Sequence, residues 1–234
     1  MKTLVLIPAY NERRNITRVI MNIKKVLPES DILVINDGSS DDTASRVADT
    51  GAGVVTHLFP LGDGAARQTG FVYAVRNNYD RVIQMDGDGQ HDPLYIPALL
   101  GALAEGADVA IGSRFLGVQQ GYRVPVLRRI GMLIFSAIAS LATGRRITDP
   151  TSGFRAVNKD AALLYASELY PRHFPDADLL ILTHRAGFKI MEVPVKMHAD
   201  SGKSIHQGLK PVYYIFKMFL SIMVTIMRKT PKWR

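Results

Sequence analysis

The chain has 234 residues, 47% of them hydrophobic and 21% charged, a composition that excludes an intrinsically disordered protein and suffices for one buried core. It contains no cysteine, which excludes a disulfide framework and a thiolate metal site. The net charge of +8 is unevenly distributed, because residues 1–110 hold 10 Lys and Arg against 14 Asp and Glu, whereas residues 111–234 hold 19 against 7. A basic second half is typical of a surface that attracts nucleic acid, anionic lipid or a phosphorylated ligand.

Apolar runs alternate with helical segments through the first half of the chain. The runs, which predict strands, cover residues 3–7, 31–35, 53–59, 81–85 and 108–111. Between them, helical periodicity predicts helices over residues 16–27, 41–50, 64–78 and 94–105. The alternation predicts an α/β fold, in which a mostly parallel, Rossmann-like sheet is flanked by helices.

Four of the predicted strands end in polar clusters, which read PAYNE at residues 8–12, NDGS at 36–39, DGDGQ at 86–90 and GSR at 112–114. Ligands of open parallel sheets bind beyond the carboxyl ends of the strands. We therefore expect the four clusters to meet in one cleft.

Two apolar segments, residues 130–142 and 212–227, distinguish the second half of the chain. Both are shorter than the roughly 20 apolar residues that a membrane-spanning helix needs. Short apolar helices with basic flanks are typical of the interface of an anionic membrane. The alternative is that both are buried core helices. The basic residues that flank the first segment are Arg128, Arg129, Arg145 and Arg146.

These segments set the predicted domain boundaries. We expect residues 1–208 to form one domain that includes an apolar helix at about residues 128–143. Residues 209–234 are expected to form a membrane-associating helix followed by a basic tail.

The DGDGQ cluster has the composition of a divalent metal site. Asp86 and Asp88 flank Gly87, and the side-chain amide of Gln90 follows two residues later. Carboxylate and amide oxygens suit Mg²⁺ or Mn²⁺, and the glycines allow the backbone to approach a ligand closely. A cation held there would neutralise the charge of a nucleotide diphosphate. The alternative is an Asp/Gly turn between two secondary-structure elements.

Other strand and helix ends suit a nucleotide or an anion. Asp37 ends the second strand, where a carboxylate can accept hydrogen bonds from a base or a ribose hydroxyl, and Tyr10 and Glu12 follow the first strand. Gly64 lies in the glycine-rich turn that opens a helix, where free backbone N–H groups favour anions. Ser40 or Asp41 can cap the helix that follows, which is a structural role.

Six motifs, in chain order, resemble those of family 2 glycosyltransferases: IPAYNE, VINDGSSDDT, LGDGAARQTG, QMDGDGQHDP, IGSRF and TDPTSGFRAV. The branch that the chain resembles most is that of the polyprenyl-phosphate sugar synthases, which includes dolichyl-phosphate mannose synthase. The resemblance implies a GT-A fold with Mg²⁺ or Mn²⁺ as cofactor. It also implies transfer of one hexose, with inversion, from a UDP- or GDP-linked donor to a polyprenyl phosphate such as undecaprenyl or dolichyl phosphate.

The resemblance implies roles for individual residues. Those implied for the nucleotide sugar are Pro8, Ala9, Tyr10, Glu12, Asp37, Gly64, Asp86, Gly87, Arg114 and, in a basic loop at residues 201–204, Lys203. Those implied for the metal are Asp86, Asp88 and Gln90, and those for the acceptor phosphate are Arg128, Ser152 and Arg155. Asp88, Arg114 and Arg128 would serve catalysis. Asp63 departs from the pattern, because many relatives have lysine there, and this puts a phosphate role at that position in doubt.

The acceptor decides whether a general base is needed. A lipid phosphate is already ionised at neutral pH, so positioning and charge stabilisation suffice. A saccharide hydroxyl must lose a proton, and Asp178 or its neighbour Asp176 is then the candidate base, because this segment resembles the position of the base in hydroxyl-acceptor relatives. The alternative for Asp178 is a structural place in the first turn of a helix capped by Asp176.

Three functions are compatible with the sequence: a polyprenyl-phosphate glycosyltransferase, a transferase to a hydroxyl acceptor, and a catalytically idle membrane adaptor. The Asp86 and Asp88 pair argues against the adaptor. We expect the first function, at the cytoplasmic face of an anionic membrane, in a peripheral or monotopic protein with a small membrane partner protein or a second copy as partner. Nucleic acid is not expected, because the basic residues flank apolar helices without a recognised binding motif.

Overall fold

The computed structural model describes residues 1–116, 126–172, 175–198 and 210–233. Its strands are β1 Thr3–Ala9, β2 Asp31–Asn36, β3 Gly53–Thr56, β4 Arg81–Gln84, β5 Val109–Ser113, β6 Arg155–Asn158 and β7 Ile190–Pro194. Its helices are α1 Ile16–Val26, α2 Thr43–Ala48, α3 Asp63–Arg76, α4 Ile96–Ala104, α5 Val126–Thr143, α6 Lys159–Ala166, α7 Ala177–Arg185 and α8 Lys210–Met227. A short 3₁₀ helix at Pro93–Tyr95 leads into α4.

The strands form one sheet in the order β3-β2-β1-β4-β6-β5-β7. Every neighbouring pair is parallel except the two that involve β6, which runs antiparallel to β4 and β5. The predicted α/β fold with a mostly parallel sheet is therefore confirmed. Parallel alignment brings the ends of β1, β2 and β4 to the same edge of the sheet.

Helices cover both faces of the sheet, so the central strands are buried on both sides. All residues of β1 are buried, and they alternate between two hydrophobic clusters, with Leu4 and Leu6 in one and Val5 and Ile7 in the other. Helices α3, α5, α6, α7 and α8 contribute to the first cluster, and α1, α2 and α4 to the second. The buried face of α1 is the one that its periodicity predicts, because Ile16, Val19, Ile20 and Ile23 point into the core.

The structure differs from the predicted elements mainly in the second half of the chain. Strands β6 and β7 and helix α6 have no counterpart in the sequence-based prediction. Strand β6 is only four residues long, and β7 alternates weakly, so neither carries a strong periodic signal. The strand predicted at residues 53–59 ends at Thr56, and β1 continues to Ala9.

The sequence left open whether α5 and α8 are interfacial helices or buried core helices. Each helix has a buried side and an exposed apolar side. One side of α5 is buried through Met132, Phe135 and Ala139, and one side of α8 through Met218 and Ile222. Their opposite sides expose large apolar residues: Leu133, Ile134 and Leu141 on α5, and Phe216, Phe219, Leu220, Met223, Val224, Ile226 and Met227 on α8. Among the described residues, no helix is both long and apolar enough to cross a membrane.

Candidate active site

The predicted polar clusters after β1, β2 and β4 lie side by side. The backbone N–H of Asp37 donates to the carbonyl of Ala9 at 2.9 Å, which joins the first two clusters. Gly87 of the third cluster packs so closely that a Cβ atom there would lie 3.3 Å from the carbonyl oxygen of Pro8 and 3.5 Å from Cγ of Glu12. Pro8, Ala9, Glu12, Asp37 and Gly87 therefore lie together at one edge of the sheet, as predicted for three of the four clusters. The fourth cluster follows β5, which β6 separates from β4.

Asp37 is a buried carboxylate that holds the loop leading into α3. It accepts hydrogen bonds from the backbone N–H groups of Leu61 and Gly62, both at 2.8 Å, and its other contact is with Nδ1 of His57 at 2.7 Å. Burial opposes ionisation of Asp37, but these hydrogen bonds outweigh it and keep the pKa of the carboxyl below its usual value. In this structure Asp37 fixes residues 61–62 beside the ends of β1 and β2.

The loop that follows β1 interlocks with the start of α2. The backbone N–H of Glu12 donates to Oγ1 of Thr43 at 2.9 Å, and the carboxylate of Glu12 accepts from Nδ2 of Asn15 at 3.0 Å. Tyr10 projects from this loop with 51% of its surface exposed. An exposed aromatic ring at this end of β1 has an apolar face that a ligand could contact.

The two carboxylates of the DGDGQ cluster have different partners. Asp86 Oδ1 accepts from Nη2 of Arg67 at 3.1 Å, whereas Asp88 accepts from the backbone N–H of Gln90 at 2.9 Å and from its Nε2 at 2.8 Å. Gln90 therefore orients Asp88. Among the described residues, no group of three or more His, Asp or Glu side chains is arranged to hold a metal ion.

His91 holds the backbone of the DGDGQ cluster at Asp86. Its Nδ1 accepts from the backbone N–H of Asp86 at 3.0 Å, and its ring stacks on Phe154 with 5.1 Å between the ring centres. Burial lowers the pKa of His91, which favours the neutral imidazole that this hydrogen bond requires. His91 is thus a packing residue of the acidic loop.

Arg67 is a site residue that the sequence prediction missed. Its guanidinium is largely buried and bridges Asp63, at 2.9 Å, and Asp86, at 3.1 Å. Asp63 is thus the partner of an arginine one helical turn later. The signal in the sequence was an acid and an arginine at i and i+4 in the glycine-rich turn that opens α3.

Gly64, predicted to favour an anion, packs against protein instead. A Cβ atom at this position would lie 2.3 Å from the carbonyl oxygen of Arg172 and 3.0 Å from that of Pro171. The close approach explains the need for glycine. In this structure the first turn of α3 is therefore covered on that side by residues 171–172.

Arg114, predicted to contact a phosphate, forms a buried ion pair. Its Nε and Nη2 donate to the two carboxylate oxygens of Asp149, each at 2.7 Å, and Nη2 also donates to Thr151 at 2.8 Å. Glu192 of β7 accepts from the backbone N–H groups of Thr148 and Asp149, so the same loop is held from a second strand. The bidentate geometry fixes the loop at residues 148–153 to the end of β5.

Ser152 and Arg155, predicted to contact the acceptor phosphate, are both buried. The hydroxyl of Ser152 donates to the carbonyl of Gly112 at 2.6 Å. The guanidinium of Arg155 is inaccessible to solvent and donates to the carbonyl oxygens of Ser152 at 2.8 Å and Pro175 at 3.2 Å. Both side chains therefore organise the backbone around the site in this structure.

Asp178 lies away from solvent in the first turn of α7. It accepts hydrogen bonds from the backbone N–H groups of Asp176 at 3.0 Å and Leu179 at 2.8 Å, and from the hydroxyl of Ser221 on α8. Burial is the main cause that raises the pKa of Asp178 to about 7. Asp176 is only partly buried. Lys203 and the side chain of Arg128 lie outside the described part of the chain.

The chain is an α/β protein with a mostly parallel sheet and an acidic cluster at the carboxyl ends of its strands, where ligands of such sheets bind. Residues 4–163 match a family model that is described as "Glycosyl transferase family 2". The chain belongs to glycosyltransferase family 2, and it is a glycosyltransferase.

Curated relatives and solved structures agree with this assignment. The chain is 34% identical to an undecaprenyl-phosphate mannosyltransferase of Micrococcus luteus, over 89% of this chain and 88% of the relative. It is 34% identical to a polyprenol monophosphomannose synthase of Mycolicibacterium smegmatis, over 83% of this chain and 76% of the relative. Glucosyl-3-phosphoglycerate synthase of Mycobacterium tuberculosis, solved with Mn²⁺ and UDP-glucose, superposes with a TM-score of 0.70 at 20% identity, over 96% of this chain and 78% of that chain. The last comparison shows the GT-A-like fold.

Proposed function

We propose that this glycosyltransferase moves a hexose, with inversion, from a UDP- or GDP-linked donor to a polyprenyl phosphate at the cytoplasmic face of a membrane. The observation that carries the proposal is the pair of exposed apolar faces on α5 and α8, because a lipid acceptor presents its phosphate at the depth where such helices lie. Relatives named for a prenyl phosphate acceptor support it at 34% identity.

Charge on the same helices supports contact with an anionic surface. Arg129, Arg145 and Arg146 are exposed on or just after α5, and Arg228, Lys229 and Lys232 follow α8. The cytoplasmic leaflet carries the anionic lipids that attract such segments, each basic residue contributing about 1 kcal/mol near the surface. Trp233 adds an amphipathic ring of the kind enriched at membrane interfaces. The proposed attachment is peripheral or monotopic.

The donor set of Asp86 and Asp88 fits Mg²⁺ or Mn²⁺. Two carboxylates are the protein ligands that such ions commonly have when the remaining ligands are substrate phosphate oxygens and water. Mn²⁺ accompanies UDP-glucose in the structural neighbour of the same fold. A bound cation would supply neutralisation of the charge that develops on the diphosphate as it leaves.

The chain itself supplies positioning. An oxygen of the acceptor phosphate attacks the anomeric carbon, the bond from that carbon to the diphosphate breaks, and the nucleoside diphosphate leaves. The attacking phosphate is already ionised, so no general base is required. Arg67 and Gln90 orient Asp86 and Asp88, and Arg114 holds the neighbouring loop through Asp149. Attack opposite to the leaving group inverts the anomeric configuration.

A donor screen tests the proposal. Purified protein is incubated with Mg²⁺ or Mn²⁺ and a short-chain prenyl phosphate, and release of GDP or UDP is followed for GDP-mannose, UDP-glucose, UDP-galactose and UDP-N-acetylglucosamine. We expect release from one donor that requires both the metal and the prenyl phosphate and that disappears in Asp88→Ala. Release that proceeds with a saccharide and ignores the prenyl phosphate would overturn the proposed acceptor and favour a hydroxyl acceptor.

A further inference from the structure

A buried carboxylate connects the C-terminal helix to the edge of the active site. Asp178 is completely inaccessible, and one of its oxygens accepts the hydroxyl of Ser221 on α8. Its other oxygen accepts the backbone N–H groups of Asp176 and Leu179, which fixes the segment that enters α7. Met218 and Ile222 of α8 belong to the same hydrophobic cluster as α7, so the carboxylate adds a polar link beside apolar packing.

The segment fixed by Asp178 is in turn bound to the loop beside the acidic cluster. Arg155 donates to the carbonyl of Pro175 at 3.2 Å and to the carbonyl of Ser152 at 2.8 Å, so one buried guanidinium holds both segments. Gly153 follows Ser152 and touches Asp86 so closely that a Cβ atom there would lie 2.8 Å from Oδ2 of that carboxylate. A continuous series of contacts therefore runs from α8 to Asp86.

We propose that Asp178 is a positioning residue that sets the active-site loop at residues 150–153 according to how α8 is seated. When α8 is docked, Ser221 and Asp178 hold Pro175 where Arg155 can bind it, and Arg155 holds Gly153 against Asp86. When α8 is displaced, Arg155 loses a fixed acceptor and the loop loses one of its anchors. The exposed face of α8 is apolar. Whatever that face contacts would therefore influence how α8 is seated, and through the series of contacts the geometry at Asp86. The inference does not depend on the identity of the acceptor.

The geometry favours positioning over proton transfer. A base must reach the proton that it removes, whereas every oxygen of Asp178 is occupied and its surface is inaccessible. Asparagine at this position preserves the contacts, since its carbonyl accepts the backbone N–H groups and its NH₂ group donates to Ser221. The conservative variant thus separates the two roles.

The test compares Asp178→Asn with Asp178→Ala in the full chain, by hydrogen exchange of residues 215–227, 175–180 and 150–155 and by steady-state transfer to a short prenyl phosphate. In Asp178→Ala we expect exchange to rise in all three segments and kcat to fall on the order of a hundredfold, because small misplacements of reacting groups are costly. Asp178→Asn restores slow exchange and most of kcat. The exchange result stands even if the enzyme proves to use another acceptor.

Ser221→Ala removes the partner on α8 and leaves the carboxylate in place. It is expected to raise exchange in the same three segments, while Thr225→Ala, one turn further along α8, serves as the matched control. Loss of activity in Asp178→Asn with exchange unchanged would identify Asp178 as a base and overturn the proposal. Faster exchange confined to α7 and α8, with residues 150–155 unaffected, would overturn it as well, because Asp178 would then be a local anchor only.

Discussion

At the scale of single residues, the charged groups of the site are arranged in pairs that differ greatly in burial. Asp63 and Arg67 lie at i and i+4 on α3, and Asp42 and Arg46 have the same spacing at the start of α2. The side chain of Arg67 is 9% exposed, whereas that of Arg46 is 47% exposed. The two pairs differ in the arginine and not in the acid, because Asp63 is 43% exposed and Asp42 is 45% exposed. Solvent therefore screens the Asp42–Arg46 pair fully and the buried Arg67 only in part.

Replacing Arg67 by methionine is expected to lower the free energy of unfolding by about 2 kcal/mol, because Asp86 loses a partner within a partly buried site. Arg46→Met is the matched control and is expected to cost less than about 1 kcal/mol. Urea denaturation gives both values. Calorimetry with GDP or UDP and Mn²⁺ should show weaker nucleotide binding for Arg67→Met alone. Equal costs for the two variants would show that Arg67 is not a structural partner of Asp86.

Asp178 makes stability depend on pH in an unusual direction. Its pKa is about 7 in the folded protein and lower in the unfolded chain, so the folded state binds the proton more tightly. The contribution of Asp178 is therefore most favourable at low pH and declines as the pH rises from about 4 to about 7. The free-energy difference between Asp178→Asn and the unmodified protein should change by about 4 kcal/mol in favour of the variant over that range. Urea denaturation at pH 4 and pH 8 measures it, and a constant difference would contradict the prediction.

At the scale of elements, the strand ends could be predicted from the sequence and the side-chain partners could not. The apolar runs before Pro8, Asn36 and Asp86 fix three parallel strands, and parallel strands bring those ends together. The pairing of Arg114 with Asp149, and of Asp178 with Ser221, joins residues that are 35 and 43 positions apart. No local pattern encodes such contacts, since they depend on how β6, β7 and α8 pack. The predicted metal and phosphate ligands stay predictions.

The loop at residues 150–153 offers a test of element packing. In Gly153→Ala the new Cβ atom would lie 2.8 Å from Oδ2 of Asp86, so the carboxylate must move. We expect metal-dependent donor binding to weaken on the order of tenfold, since a misplaced ligand loses its geometry. Gly101→Ala on α4 is the control, because no atom lies within 4 Å of its Cβ position, and it should stabilise the helix by about 0.5–1 kcal/mol. Unchanged donor binding in Gly153→Ala would show that Asp86 tolerates the shift.

At the scale of the whole molecule, the charge and the apolar surface lie on the same helices. The acidic strand ends come from the first half of the chain, and the basic residues and exposed apolar faces come from α5 and α8. The proposed soluble donor and lipid-linked acceptor would have opposite solvent requirements, and this division would suit both. The side of α8 that bears Phe216, Leu220 and Val224 faces solvent in this structure, and its other side is fixed by Met218 and Ile222.

The exposed apolar face of α8 and the basic residues beside it predict that the protein binds anionic vesicles. Phe216→Glu combined with Val224→Glu places two negative charges on the exposed face of α8, where the residues are 60% and 62% exposed. Because neither side chain is buried, the free energy of unfolding should change by less than about 1 kcal/mol. Co-sedimentation with vesicles that contain phosphatidylglycerol should be strong for the unmodified protein, weaker at 0.5 M salt, where charges are screened within about 4 Å, and absent for the double variant. Leu94→Glu, at an equally exposed apolar position before α4, is the control and should bind normally. Binding that survives the double variant would move the contact away from α8, and binding that ignores lipid charge would leave the basic residues without a role in it.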